Sequence, residues 1–244
     1  MIPQFSLQSI YLKLKNISPI RLIVSSFLAI ILIGTVLLCF PISSRNSEFT
    51  PFVDSLFVAT SATCVTGLTL FDTFTKWSNF GQVVVILLIQ FGGLGLITFT
   101  TGFTLFFRKK WGLRDIQIAK EYTSGSVIDT PRLIKTILIW SLLCETIGAI
   151  FLAIRFVPQF GLFGIWVSIF TAISAYCNAG FDIMGFTSSG IGLMDYKSDP
   201  LVSLTISFLI ILGGIGFIVI SDIHSIILKK IQNPRNHCHL NFHS

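Results

Sequence analysis

Ser61-Ala62-Thr63-Cys64-Val65-Thr66-Gly67-Leu68 is the stretch on which the reading of this chain turns. It is small, rich in hydroxyls and closed by a glycine, and it lies between two long apolar runs. In a membrane, irregular polar backbone of this kind is tolerated only where protein buries it or where it lines a watery path. The segment therefore reads as one wall of an ion pathway, and the rest of the chain is tested against that idea.

Composition supports a membrane setting. Of the 244 residues, 52% are hydrophobic and 11% charged, and 24 are phenylalanine; ordinary soluble domains carry about 25% charge. This makes a soluble catalytic domain untenable. The net charge of +6 is assigned to basic cytoplasmic loops, not to nucleic-acid binding. Five cysteines, at 39, 64, 144, 177 and 238, are odd in number and fall largely in apolar or loop stretches. They read as small buried residues rather than a disulfide framework. The first apolar run is too long for a signal-peptide core, so it reads as a retained span.

Working outward, residues 1–19 form a basic amphipathic lead, and Ile20–Phe40 supplies about 20 apolar residues, enough for one crossing. Pro41 ends that helix. Pro51–Ala62 offers only some ten helical residues, about 15 Å or half a bilayer, which predicts a re-entrant half-helix. Its C-terminal end carries partial negative charge toward Thr63–Gly67, a favourable setting for a cation. Asp72–Ser78 leads back out, with Trp77 expected as an interfacial anchor. Phe80–Phe107 reads as a second full span with Gln90-Phe91-Gly92-Gly93-Leu94-Gly95 near its middle. Those glycines fit close helix packing, with a hinge as the competing account. Residues 108–131 are the most charged section and read as a cytoplasmic linker, either a surface helix that docks a partner or a solvated connector.

The second half repeats the plan. Thr136–Phe156 is a span holding Glu145 near mid-depth, where an acidic group is costly and so marks either function or a hydrogen bond to neighbouring backbone. Gly161–Ala175 is again a half-helix length, followed by Tyr176-Cys177-Asn178-Ala179-Gly180-Phe181. Leu201–Ile220 is the last span, with Gly213-Gly214-Ile215-Gly216 inside it. Leu56–Gly67 overlies Ile169–Gly180 at an offset of 113 residues, with Phe57/Phe170, Ala59/Ala172, Ser61/Ser174, Ala62/Ala175, Cys64/Cys177 and Gly67/Gly180 identical. Gly92-Gly93-Leu94-Gly95 matches Gly213-Gly214-Ile215-Gly216 at an offset of 121. The expected architecture is all-α and membrane-integral. Two tandem span–pore-helix–span repeats occupy 20–107 and 132–230, and a tail follows at 231–244.

Orientation follows from the basic residues. Only Arg45, Lys76, Arg155 and Lys197 fall on one side, leaving thirteen of the seventeen Lys and Arg on the other. Both termini are expected in the cytoplasm, with the half-helices dipping in from outside. The loops hold no acidic side chain. A dehydrated monovalent cation would therefore be held by backbone carbonyls of Thr63, Cys64, Val65, Thr66 and Gly67, and of Tyr176, Cys177, Asn178, Ala179 and Gly180. Gly67 and Gly180 relieve the backbone strain this requires. Asn178 either adds a side-chain oxygen or braces its loop. His237, Cys238, His239 and His243 are too tightly and irregularly spaced for a standard zinc site, and no span carries a nucleophile–base set. No cofactor or resident metal is expected.

Thr60–Leu68, Ser174–Asp182 and the two Gly-Gly-x-Gly motifs resemble those of the Trk/Ktr/HKT superfamily of potassium transporters, most closely the bacterial Ktr-type membrane subunit. The resemblance covers residues 15–235. It implies a pore of four span–loop–span repeats in one chain and a homodimer resting on cytosolic nucleotide-binding regulatory subunits. In that family, glycine where Gly67 stands goes with potassium selectivity, whereas some plant members with serine there admit sodium. The chain departs from the pattern in having two repeats, so it is expected to be a piece of a longer protein, with assembly of one pore from two copies as the alternative. Potassium, with sodium as second choice, is the implied transported ion in a plasma-membrane uptake system. A non-conducting half-pore partner is the rival, as is a tandem-pore channel, although neither loop reads Thr-Val-Gly-Tyr-Gly.

Overall fold

The computed structural model describes residues 19–95, 130–187 and 192–215. The N-terminal lead, the second half of the Phe80–Phe107 span, most of the 108–131 linker, and the end of the last span with its histidine-rich tail lie outside them.

All the described regular structure is helical; the sole β-type pairing is an isolated bridge between Ser44 and Trp77. Helix α1 is Pro19–Cys39 (21 residues), about 31 Å at 1.5 Å per residue. A 3-10 turn at Pro41–Ser43 ends it. Helix α2 is Phe52–Thr63 (12 residues), about 18 Å and too short to cross a bilayer core of about 30 Å. A single turn, α3 (Thr73–Lys76), is capped by Asp72, whose carboxylate accepts from Thr75 N at 2.7 Å. Helix α4 (Asn79–Gly93) starts at Ser78, which accepts from Gly81 N. Helix α5 (Thr130–Phe160) has 31 residues and includes Lys135–Phe160, which is long and apolar enough to cross a membrane. Helix α6 is Phe163–Tyr176 (14 residues), again about 21 Å. After a 3-10 turn at Gly192–Tyr196, helix α7 (Pro200–Gly214) opens with Asp199 accepting from Leu201 N and Val202 N and with Pro200 in its first turn, a strong start signal.

Each half is a three-helix unit. Helix α1 packs on α2 and α4, and α2 on α4; likewise α5 packs on α6 and α7, and α6 on α7. The half-helices are the central members. Ala59 and Ala62 of α2, and Phe170 and Ala172 of α6, are at most 1% exposed. The longer helices turn apolar faces outward: Leu28, Leu32 and Val36 on α1, Leu143, Ile147 and Ile150 on α5, and Leu204, Phe208 and Ile211 on α7 are exposed. Their spacing of three to four residues makes stripes that water would disfavour and lipid tails accept. Thr63 and Ser168 return their hydroxyls to the carbonyls of Ala59 and Gly164 four residues back, so these hydroxyls are satisfied within their own helices.

Contact between the halves runs mainly through α4 against α6. Its polar centre is Gln82, which is fully buried. The Gln82 amide donates to Trp77 O at 3.1 Å and accepts from Trp166 Nε1 at 2.8 Å. Replacing Gln82 with Leu strands an indole N–H and a carbonyl in the core. It is expected to cost about 2–4 kcal/mol, seen as a lowered thermal midpoint of the purified protein in detergent, with Gln82→Glu less damaging at low pH.

Three sequence expectations change. Trp77 is a core residue, 1% exposed, not an interfacial anchor; the bridge to Ser44 holds it beneath the outer turn. Helix α5 begins earlier and ends later than Thr136–Phe156, because Thr130-Pro131 is a good helix start and Pro158 is accommodated in the last turn. Helix α4 does not run unbroken through its glycines: Gly95 has φ +73°, a left-handed residue that ends the helix.

Candidate functional site

The two loops have the same local construction. After α2, Cys64 N donates to Thr60 O (2.8 Å), Val65 N to Ala62 O (3.3 Å) and Thr66 N to Ser61 O (3.0 Å). After α6, the residues 113 positions on repeat this: Cys177 N to Ile173 O (2.9 Å), Asn178 N to Ala175 O (3.0 Å) and Ala179 N to Ser174 O (2.8 Å). Ser61 Oγ then reaches past the loop to Leu68 O at 2.6 Å, and Ser174 Oγ to Phe181 O at 2.6 Å. In each loop the serine fastens the far end of the segment to the half-helix that begins it. Ser61 also shares a hydrogen bond with Thr66 Oγ1.

Backbone torsions repeat as well. Gly67 and Gly180 sit at φ +75° and +72°, and so do Val65 and Asn178 at φ +56° and +58°. Left-handed backbone is free for glycine and tolerable for asparagine, but for a β-branched valine it is an outlier that stores of order 1–3 kcal/mol. The Asn178 amide nitrogen donates weakly to Tyr176 O at 3.5 Å.

The loops lie side by side. A Cβ built on Gly67 would be 2.9 Å from Ala179 O and 3.5 Å from Gly180 Cα; one on Gly180 would be 3.4 Å from Gly67 Cα. The glycines of the long helices carry the loops from behind. A methyl on Gly92 would overlap the Thr63 carbonyl, and one on Gly213 the Tyr176 carbonyl. Gly92 and Gly213 thus pack closely, as the packing account expects, but on loop backbone rather than on another helix, whereas Gly95 meets no described atom within 4 Å. Gly93 lies against the Cys177 side chain, so α4 supports its own loop and the next. Gly214, the position matching Gly93, meets among the described residues only Asn178 Nδ2 at 4.0 Å, and Cys64 is exposed where Cys177 is buried.

The carbonyl oxygens of Cys64, Val65, Thr66 and Gly67, and of Cys177, Asn178, Ala179 and Gly180, accept no hydrogen bond from any described residue.

Glu145 is 5% exposed and its Oε1 accepts from Gln90 Nε2 at 2.8 Å. The partner is thus a side-chain amide on the other repeat, not neighbouring backbone. Just after the second loop, burial pushes the Asp182 carboxyl above its usual range; the Met184 N–H bond opposes this and the nearby Asp72 charge adds to it. Sequence reasoning missed Gln90, Gln82 with Trp166, and the strained Val65. Among the described residues, no group of three or more His, Cys, Asp or Glu is placed to hold a metal.

Paired short helices, each ending in a glycine-bearing loop and packed among helices with exposed apolar faces, are consistent with an all-helical integral membrane protein. The chain belongs to the TrkH family of cation transport proteins, whose family model matches residues 8–243. It is 40% identical over 213 residues to the potassium/sodium uptake protein NtpJ of Enterococcus hirae, covering 86% of this chain and 46% of that protein. It is 42% identical over 217 residues to the Ktr system potassium uptake protein B of Bacillus subtilis (87% and 46%), and 38% over 205 to that of Vibrio alginolyticus (83% and 44%). The chain thus spans a little under half the length of these relatives.

Proposed function

We propose that the chain supplies two adjacent walls of a potassium uptake pore, as part of the membrane subunit of a Ktr-type system in the plasma membrane. The unpartnered carbonyls of Cys64–Gly67 and Cys177–Gly180 carry this reading. Each such group in a membrane costs several kcal/mol when left bare, and a dehydrated cation offsets that cost by taking the oxygens as its coordination shell. The carbonyls of Thr63 and Tyr176 lie against Gly92 and Gly213, so these two residues support the rows from behind rather than complete them. The loops lack carboxylates, which favours a monovalent ion that must leave again over a tightly held divalent one. Potassium is the expected ion, with sodium admitted less well, in keeping with the names of the relatives.

The open edges support a larger assembly. Cys64 lacks the glycine cover that Gly93 gives Cys177, and Gly214 faces no loop beyond its own, so further repeats, in a longer protein or a second copy, close the filter on both sides. On this reading the chain divides into a lead (1–19), two repeats (20–107 and 132–230), a linker (108–131) and a tail (231–244). Both termini are cytoplasmic, and a nucleotide-binding regulatory subunit docks on the cytoplasmic side of a homodimer.

The test is growth at low potassium of bacteria lacking potassium uptake, expressing the chain alone, with a cytosolic regulatory subunit, and as part of a four-repeat protein. Rescue in any arrangement, with rubidium-86 uptake above background, is the expected result. Membrane-inserted protein with no flux in all three would overturn the proposal.

A further inference from the structure

Behind the second loop, and among the described residues not behind the first, lies a polar chain that crosses between the repeats. Gln90 projects from α4 one turn before Gly93. Its Nε2 donates to Glu145 Oε1 on α5 at 2.8 Å, and its Oε1 accepts from Cys177 Sγ at 3.7 Å, a length suited to a thiol donor. Glu145 is 5% exposed and Cys177 7%. The first repeat has no such chain: Ile211, 121 residues beyond Gln90, is apolar, and Cys64 is exposed.

The chemistry dictates a direction. Glu145 Oε1 accepts from the Gln90 amide nitrogen, which leaves the amide oxygen to accept from the Cys177 thiol. With that orientation fixed, Cys177 is held between an acceptor and the bare Cα of Gly93, next to the carbonyls proposed to coordinate the ion. Burying an acidic group at membrane depth is costly, and one hydrogen bond to an amide does not make it a gain in stability. Its use is orientation. The Tyr176 hydroxyl, buried beside the same loop, finds no partner among the described residues, so Gln90 is the side-chain tether of this loop from the neighbouring repeat.

We infer that Glu145, acting through the Gln90 amide on Cys177, is a positioning residue that locks the second filter loop and sets how well the pore separates potassium from sodium. This rests on the pore reading above. It also makes the filter unequal: one loop is clamped from the adjacent repeat and the other is not.

Two readouts test it, in membranes containing the full chain in whichever arrangement conducts. The first is the ratio of rubidium-86 to sodium-22 uptake at matched protein level. The second is the rate at which N-ethylmaleimide modifies Cys177, followed by peptide mass spectrometry with Cys64 as internal reference. Glu145→Gln keeps an acceptor facing Gln90 and is expected to leave both readouts within about twofold of the unsubstituted protein. Glu145→Leu and Gln90→Leu are expected to lower the uptake ratio and speed Cys177 modification by about tenfold, the scale of one buried hydrogen bond. A purely structural role predicts lower protein yield with ratio and thiol rate unchanged, and that result would overturn the inference. So would Glu145→Gln matching Glu145→Leu, since charge and not the hydrogen bond would then matter. Absence of flux from the unsubstituted protein instead overturns the pore reading, and the thiol rates still decide the clamp.

Discussion

Gly67→Ser is expected to lower potassium uptake by about tenfold or more and to let sodium compete. Two costs combine at this position. The backbone is held at φ +75°, where a side chain adds about 1 kcal/mol of strain. The new Cβ would also stand 2.9 Å from Ala179 O, a backbone atom that cannot swing away as a side-chain tip can. The second loop must therefore shift, and its carbonyl row moves with it. Gly180→Ser is the informative control. Its φ is equally unfavourable, but its Cβ would meet Gly67 Cα at 3.4 Å, a contact that a small adjustment relieves. The account thus predicts unequal effects from two glycines at matching positions, read as the rubidium-to-sodium uptake ratio of each variant. Equal loss at both sites would mean that the torsion alone matters and that the contact between loops does not.

Gly92→Val is expected to be the most damaging substitution for assembly. The added carbons would occupy the space of the Thr63 carbonyl, so α4 must withdraw from the loop that it supports. Overpacking of this kind costs typically about 1–3 kcal/mol, and here it also separates Gly93 from Cys177. The expected outcome is poor recovery of folded protein from detergent and a thermal midpoint well below that of the unsubstituted chain. Gly213→Val should behave the same way through the Tyr176 carbonyl. Gly95→Ala serves as the mild comparison: it has φ +73° but no described atom within 4 Å of a new methyl, so it should show strain without clash. A Gly92→Val protein as stable as Gly95→Ala would contradict the packing described here.

The sequence carried a good deal of this. Helices α2 and α6 were legible because ten to fourteen apolar residues cannot span a bilayer and because both are followed by glycine. The shared torsions at Gly67 and Gly180 follow from the lack of a Cβ. The left-handed turn at Val65 was not legible, since β-branched residues avoid that region. Asn178, which tolerates it, occupies the matching place and was the available clue. The burial of Trp77 is not legible because a tryptophan near a span end more often marks the interface; its backbone partners, Ser44 and the Gln82 amide, are set by tertiary packing. Glu145 was flagged by its cost in a membrane, but Gln90, 55 residues earlier, cannot be paired with it by any local pattern. Helix α5 overran its expected ends because proline near either terminus of a helix is tolerated more readily than in its interior.

The central claim is that the two loops hold a monovalent cation on backbone oxygens, and anomalous scattering from protein crystallised in a thallous salt tests it most directly. The account predicts thallium density on the axis bounded by the carbonyls of Cys64–Gly67 and Cys177–Gly180, displaced by excess potassium and weakened in Gly67→Ser. Thallium confined to the carboxylates of Asp72 and Asp182, with none between the loops, would contradict it.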